Sequence, residues 1–378
     1  MKLNSKKRVV VAMSGGVDSS VAAYLLKEQG FDVIGISLKT WDASEEQVAR
    51  GKTCCSFKDI EDARNVCERL RVPFYAFNYK KVFKEKVIDN FVGEYLKGRT
   101  PNPCILCNNH IKFDQLLNEA EKLGADFLAT GHHARVRHDE TGAHLLKGVD
   151  EHKDQSYVLY GLSQKQLAKI LLPVGEYTKE EIRNMANNNH VPTAFKPESQ
   201  DICFIPNHDH ASFIKKQVGE LPWGKGIFVD GEGHKLGEHE GIHAYTVGQR
   251  RGLGIGFGER LYVTKIDAQK NEVILGEKKG LLSLGLVASK VHWIRPVFEN
   301  GNAVSCGVKI RYQKTEIAAH VEPGKNEGEV VVKFNEPSGT VSPGQSAVFY
   351  LGDETLGGGI IERALYSIST FNEYVSAH

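Results

Sequence analysis

A short valine-rich run, Val9–Ala12, breaks at Met13-Ser14-Gly15-Gly16-Val17-Asp18-Ser19-Ser20, and an apolar-periodic segment (Val21, Ala22, Tyr24, Leu25, Leu26) follows. The pattern predicts a strand, a glycine loop and a helix, with the loop N–H groups and the helix N-terminus aimed at an anion. Gly15 and Gly16 permit unusual backbone angles and close approach of a ligand. Ser14, Ser19 and Ser20 add hydroxyl donors, and Asp18 adds a carboxylate suited to Mg²⁺ beside phosphate. The common phosphate loop ends in Gly-Lys-Ser/Thr, and this loop has no lysine there. Two glycines before a helix would also suit an ordinary tight turn, so the whole string has to carry the anion reading.

From residue 8 to about 130 strands and helices alternate. Val9–Ala12, Val33–Leu38, Val72–Asn78 and Phe127–Gly131 read as strands; Ser20–Gly30, Ile60–Leu70, Lys81–Leu96 and Asn109–Leu123 read as helices. The expected fold class is therefore α/β, a parallel sheet with helices on both faces. In such sheets ligands bind beyond the carboxyl ends of the strands, which places the glycine loop, Leu38 and Gly131-His132 on one rim. Helices are expected at Gln164–Ile170 and Lys179–Asn188. Glycine then becomes dense, as in Gly252-Leu253-Gly254-Ile255-Gly256. Alternating strands follow at Val287–Trp293, Val304–Tyr312, Glu316–His320, Glu329–Phe334 and Ser346–Leu351, with Gly357-Gly358-Gly359 among the turn signals. We expect a catalytic domain over 1–212 (169–191 being assignable to the next), a small central domain over 213–283 and a C-terminal β-barrel over 284–378.

At 378 residues, two or three domains are expected, and 41% hydrophobic with 25% charged residues allows a sizeable core. No stretch approaches the roughly 18–20 uninterrupted apolar residues of a membrane span. The N-terminus leads straight into the first strand and leaves no room for a signal peptide, so a cytoplasmic location is the expectation. A net charge of +1 means that a polyanion has to be met by local basic patches such as Lys80-Lys81, Lys84, Lys86, Lys215-Lys216 and Arg250-Arg251. Taken singly, each such run is more often a solvated face.

Seven cysteines, an odd number, do not look like a secreted disulfide framework. Cys104 and Cys107 form a C-x-x-C pair in Pro101-Asn102-Pro103-Cys104-Ile105-Leu106-Cys107-Asn108, and Cys203 lies far along in another irregular segment. A closed zinc site needs four ligands, and there is no second C-x-x-C. Sulfur chemistry at Cys107 and Cys203, or an iron–sulfur cluster on Cys104, Cys107 and Cys203, are the other readings. Cys54 and Cys55 read as loop or packing residues, Cys67 and Cys306 as small buried hydrophobes. His132 and His133 are adjacent, which ill suits sharing one ion.

The string Ser14–Ser20 resembles the PP-loop of ATP pyrophosphatases, which bind the pyrophosphate of ATP there and transfer AMP to a substrate oxygen. Along nearly its whole length the chain resembles the tRNA-specific 2-thiouridylase family. That likeness rests on the loop, on Gly98–Pro103 with Cys107-Asn108, on Ala129–His132, Asp154–Tyr157 and Glu198–Phe204, and on Gly241–His243, Tyr245–Arg250 and Arg311-Tyr312.

The resemblance implies an ATP site at Ala12, Met13, Ser14, Gly15, Gly16, Val17, Asp18, Ser19, Leu38 and Gly131. It implies that Asn102, Pro103 and Cys104 frame the target base, and that His132, Lys153, Asp154, Gln155, Arg311, Tyr312 and Gln345 contact tRNA. ATP with Mg²⁺ would adenylate the C2 oxygen of the wobble uridine. Sulfur carried as a persulfide on Cys203 would attack C2, and the nucleophile Cys107 would resolve the linkage. The partners implied are tRNA and a sulfur-relay protein or cysteine desulfurase, with no membrane.

Adenylation turns a hopeless leaving group, a uracil carbonyl oxygen, into a good one. An ordinary thiol of pKa about 8.5 is only a few per cent thiolate at neutral pH. Lys196 and the loop's helix terminus are the candidates for activating Cys203. Asp201 reads as a capping residue. The family's usual residue at the position of Cys104 is aspartate. The thiol here completes a three-cysteine set and keeps open a cluster route with hydrosulfide as donor. Three rivals stand beside this reading: a glutamine-dependent PP-loop synthetase, which lacks a glutaminase domain here; a zinc-bearing sulfur transferase, which needs more paired cysteines; and a non-catalytic RNA-binding protein, against which the intact loop and cysteines argue.

Overall fold

β1 (Arg8–Ala12) lies at the centre of a five-stranded sheet in the computed structural model, which describes residues 7–42, 56–197, 202–205, 207, 209–254, 260–298, 303–312 and 314–374. The chain divides into two units. The first takes residues up to Ile88, Cys104–His208 and Asp353–Thr355; the second takes Asp89–Pro103, Asp209–Gly352 and everything from Leu356.

In the first unit the sheet order is β3-β2-β1-β4-β7, and every pairing is parallel. The partners of β1 are β2 (Asp32–Lys39), β3 (Phe74–Asn78), β4 (Phe127–Thr130) and the short edge strand β7 (Ile170–Leu171). β5 (Ala134–Asp139) and β6 (Gly142–Lys147) form an antiparallel hairpin. Val9, Val10 and Val11 are all fully buried, because helices cover both sheet faces. Val9 and Val11 pack with residues of α1 (Val17–Glu28) and α2 (Phe57–Leu70). Alternation turns Val10 to the opposite face. The chain leaves β1 towards β2 on one side and returns as β4 on the other. That reversal of strand order opens the crevice in which α/β sheets hold ligands.

Two glycines close that rim. Gly15 has φ +72°, and a Cβ there would lie 2.2 Å from the Asp59 carbonyl oxygen at the start of α2. A Cβ on Gly131 would lie 2.5 Å from the Ser19 backbone nitrogen, so the end of β4 seats directly on the first turn of α1.

Several helices depart from their expected extent. The Lys81–Leu96 helix is interrupted: α3 (Lys80–Phe83) passes through a π turn at Lys84–Ile88 into α4 (Asp89–Leu96). The helix expected to start at Asn109 starts instead at Pro103, whose missing N–H costs nothing at a first helical position. α5 (Pro103–Leu106) runs through a π segment, Cys107–Phe113, into α6 (Asp114–Lys122). α7 (Gln164–Leu167) is a single turn, and the chain then extends to form β7. α8 (Lys179–Asn188) is as read, held at its start by a capping box between Thr178 and Glu181.

The second unit contains α9 (His210–Val218) and a four-stranded sheet of order β10-β11-β8-β9. Its strands are β8 (Gly226–Val229), β9 (Lys235–His239), β10 (Tyr262–Asp267) and β11 (Glu272–Gly276), around Phe228, Tyr245, Val263 and Val273. Six further strands follow: β12 (Ser283–Trp293), β13 (Val304–Lys309), β14 (Ile317–Pro323), β15 (Val330–Ser338), β16 (Ser346–Leu351) and β17 (Glu354–Leu365). They pair in the order β12-β15-β14-β13-β16-β17, and β12 pairs with β17 to close the barrel. Gly357-Gly358-Gly359 is thus strand, not turn. A Cβ on Gly357 would meet the His292 carbonyl oxygen at 2.2 Å, and one on Gly359 the Ser289 carbonyl oxygen at 2.8 Å. The glycines let β12 cross closely at a bulge. α10 (Ile368–Asn372) ends the described chain with Phe371 buried.

Cys67 and Cys306 are buried, and burial first of all pushes both thiols up to about 12, so they stay protonated. Cys54, Cys55 and Asp201 lie outside the described residues. Gly131→Ala is expected to lower stability by about 1–3 kcal/mol, since the backbone of α1 cannot yield to a methyl group. The midpoint of thermal unfolding measures it.

Candidate active site: a glycine loop, a charged cluster and three thiols

The loop between β1 and α1 is open where a ligand would need it. Gly16 caps α1 with extended backbone and no side-chain bond, so the N-cap position itself contributes no capping group to the first-turn N–H groups. Ser14 is exposed. Ser19 Oγ donates to the Gly16 carbonyl at 3.1 Å and accepts from the Ser14 amide at 3.2 Å. Ser20 corrects the expectation of three ligand-facing hydroxyls. It is wholly buried, donates to Gly16 O at 2.8 Å and accepts from Thr193 Oγ1 at 2.9 Å. Ser37 Oγ holds the Met13 carbonyl at 2.5 Å, and Ile36 O takes the Met13 amide at 2.7 Å. Met13 and Leu38 are buried and Ala12 half-buried, an apolar border beside the loop.

Asp18 is held by a lysine and a histidine. Lys179 Nζ lies 2.6 and 2.8 Å from its two oxygens, and His133 Nε2 lies 3.1 Å from Oδ1. Burial pushes this carboxyl up, but the His133 hydrogen bond and the Lys179 charge more than offset it, leaving it below the usual carboxylate range. Neither partner was assigned a role from the sequence. A signal for Lys179 existed: it is the first residue of α8, where the helix dipole disfavours a cation. It is nonetheless buried, and its amide donates to Asp150 Oδ2 at 3.0 Å.

The paired histidines serve different partners. His132 Nδ1 lies 2.7 Å from Thr130 Oγ1, Nε2 lies 3.5 Å from Lys112 Nζ, and the ring packs on Phe113. Burial, then the Lys112 charge, holds this imidazole well below its ordinary pKa, so it is neutral. Gln155 clamps the neighbouring backbone, with Oε1 accepting from the His133 amide at 2.9 Å and its own amide donating to His133 O at 2.8 Å. Asp154 is buried, and its carboxylate accepts from the Gly148 and Ser156 amides and from Ser156 Oγ. Its side chain organises this loop. Lys153 is half-buried.

Cys104 is exposed in α5, and Cys107, half-buried, opens the π segment. Residues three apart on a helical turn share a face. Cys203 is half-buried, and the next residue, Phe204, is buried with its ring edge on Phe83 at 5.7 Å. α3, which carries Phe83, packs against the π segment that Cys107 opens. Lys196, the candidate for activating Cys203, is engaged by two acidic residues of α2. Its ammonium bridges Asp59 at 2.7 Å and Asp62 at 2.5 Å, so two carboxylates balance its charge. Among the described residues, the cluster of three ligand-type groups within 4.8 Å of one another is Asp230, Glu232 and His234, on a β8–β9 turn.

In the second unit, the segment leading to Asn102 and Pro103 is tied to the barrel. Arg99 pairs with Glu94 and Glu362 at 2.6 Å each, and Ser289 Oγ donates to Glu362 at 2.5 Å. Burial disfavours the Arg99 charge, but Glu362 and Glu94 outweigh that and raise its pKa. The Thr100 amide donates to Pro343 O at 2.8 Å, and Gln345 Nε2 donates to Thr100 O at 2.9 Å. Gln345 therefore anchors this loop. Arg311 Nη2 donates to Val247 O at 3.1 Å and Ser342 Oγ at 2.7 Å, and Tyr312 beside it is half-buried. Lys215, Lys216, Arg250 and Arg251 are exposed.

Comparison with known proteins adds the following. Residues 7–207 match the family model described as the tRNA methyl transferase HUP domain, 211–277 the tRNA methyl transferase PRC-barrel domain, and 283–361 the aminomethyltransferase beta-barrel domain. The chain is 50% identical to the tRNA-specific 2-thiouridylase MnmA of Geotalea uraniireducens over 97% of both chains. It is 48% identical to that of Carboxydothermus hydrogenoformans, over 97% of this chain and 100% of the relative. The corresponding protein of Geobacter metallireducens is 47% identical, over 97% and 99%. A solved 4-thiouridine synthetase–RNA complex with bound ATP matches at 19% identity and a TM-score of 0.35, over 57% of this chain and 51% of its own, too slight a likeness to argue from.

Arg99→Met would leave Glu94 and Glu362 facing each other without their cation. The expected loss is about 2 kcal/mol, short of the 3–5 kcal/mol of a fully buried pair because all three groups keep some solvent. Chemical denaturation of the full chain reads it.

Proposed function

The chain belongs to the tRNA-specific 2-thiouridylase (MnmA) family of tRNA sulfurtransferases, and from that premise we propose that it activates the wobble uridine with ATP and thiolates it through Cys203 and Cys107. The observation that carries the ATP reading is the uncapped N-terminus of α1 beyond β1, with Asp18 in its first turn and Gly131 seated against it. Loop amides and the helix dipole suit the polyphosphate. Met13, Leu38 and Ala12 are the residues we assign to the border of the nucleoside pocket. Asp18 offers the hard oxygen donor that Mg²⁺ prefers and would hold it; when bound, the ion supplies charge neutralisation of the triphosphate.

In this scheme the uridine C2 oxygen attacks the α-phosphorus and pyrophosphate leaves. The terminal sulfur of a Cys203 persulfide then attacks C2 and AMP departs. Cys107 thiolate attacks Cys203 sulfur, freeing the thiolated base and leaving a disulfide for reduction. Exposure of Cys104 and half-burial of Cys107 and Cys203 support thiols that a donor protein and a substrate reach in turn. Asn102, Pro103 and Cys104 are assigned to the target base. His132, Lys153, Asp154, Gln155, Arg311, Tyr312 and Gln345 are assigned to the tRNA-binding region, with Asp154, Gln155 and Gln345 contributing by fixing backbone. The target loop is already single-stranded, which lowers the cost of extruding a base. A sulfur-relay protein or cysteine desulfurase is the proposed donor. No helix of the described residues is long and apolar enough to cross a membrane.

A second reading follows from Cys104 and Cys107 on one helical face: with Cys203 they would hold an iron–sulfur cluster that binds hydrosulfide. Anaerobic reconstitution with iron and sulfide separates the two. Full activity from a persulfide donor in metal-free protein, without visible absorbance, ends the cluster reading.

Pyrophosphate release with and without tRNA tests the main proposal. Release should depend on tRNA, and nucleotide-independent tRNA binding with no turnover would overturn it. Asp18→Ala is expected to abolish release while tRNA affinity stays nearly intact. Cys203→Ser is expected to consume ATP slowly and form no thiolated nucleoside, as nucleoside mass spectrometry would show.

A further inference from the structure

We propose that Lys179 is the phosphate-binding lysine that the glycine loop lacks, held in reserve by Asp18 until nucleotide binds. This rests on the ATP reading above and assigns a residue to the β- and γ-phosphates and to the departing pyrophosphate.

Three observations converge on it. First, no lysine follows Gly15-Gly16, although a phosphate loop commonly ends in one that reaches the terminal phosphates. Second, the fold delivers a lysine from a distant helix: Lys179 Nζ contacts both oxygens of Asp18, the second residue of α1. A polyphosphate on the uncapped end of α1 would be one side-chain rotation from that ammonium. Third, the position is costly in itself. Lys179 is 8% exposed and stands at the N-terminus of α8, where desolvation and the helix dipole both oppose a positive charge. A purely structural brace would be met as well by a residue that does not bury a cation there.

The arrangement works as an exchange of partners. Without nucleotide, Asp18 accepts from Lys179 and His133, so the buried charges are balanced. When Asp18 turns to a divalent cation, the ammonium gives up that carboxylate. Phosphate oxygens at the helix terminus then offer it an anion. His133, fixed through its backbone by Gln155, keeps Asp18 oriented during the exchange. Positive charge is thereby available where pyrophosphate develops negative charge on leaving, the interaction that favours transfer of AMP.

Equilibrium binding of ATP and AMP to the full chain without tRNA tests this apart from turnover. Lys179→Met should weaken ATP binding about 10- to 100-fold, the loss of a charge-assisted contact, and leave AMP binding within about twofold. Lys179→Arg should recover most of the loss. In metal-free buffer, Asp18→Asn should tighten ATP binding by releasing the lysine, and the Asp18→Asn, Lys179→Met double variant should lose that gain. An unchanged ratio of ATP to AMP affinity in Lys179→Met would overturn the proposal, as would equal weakening of both nucleotides with a lowered unfolding midpoint, the mark of a brace. Failure of the wild type to bind ATP would instead remove the nucleotide reading on which the proposal stands.

Discussion

One carboxylate joins the parts of the first unit that define its rim. Asp18 belongs to the first turn of α1, Lys179 brings α8 to it, and His133 brings the segment after β4. These elements are distant in sequence; Val17, Val21 and Ala22 of α1 share a core with Ile182 and Ala186 of α8, and the charged cluster adds a polar tie at the rim. Gly131 removes the side chain that would hold the end of β4 away from α1. The same group that organises the rim is the one best placed to receive a divalent cation, so binding and architecture draw on a single side chain.

The second unit solves a different problem, that of presenting a proline-bordered loop in a fixed conformation. Arg99 reaches two carboxylates, Thr100 is hydrogen-bonded on both its amide and its carbonyl, and Gly344 allows the backbones to touch. Glu362 of β17 and Gln345, in the bend before β16, thus act on the residues just before Asn102. A β-barrel is well suited to this, since closure removes free edges and makes its surface rigid.

The sequence made the first crossover legible because its signals are local: a valine run, a glycine break and an apolar period within about twenty residues. The barrel strands read between Val287 and Leu351 were legible for the same reason, by alternation. β17 was hidden because its three glycines look like a turn until the close passage of β12 explains them. Lys179 was hidden because its partner lies 161 positions away. Ser20 misled in the opposite sense: its place in the loop string points to a ligand, yet helix geometry turns it towards Thr193. Lys196 likewise reads as a spare charge until Asp59 and Asp62 come beside it. Local order was readable, whereas pairing across the chain was not.

The π segment from Cys107 to Phe113 has a further consequence. A π turn widens the coil by accommodating an extra residue relative to an α-helix. Phe113 and Leu116 are buried, which fixes the far end of this helix in the core. Deleting one residue between them and Cys107 would let the coil tighten and would swing the thiol about 100° around the axis. The number of residues in this stretch, independent of their chemistry, therefore sets the compass bearing of the sulfur.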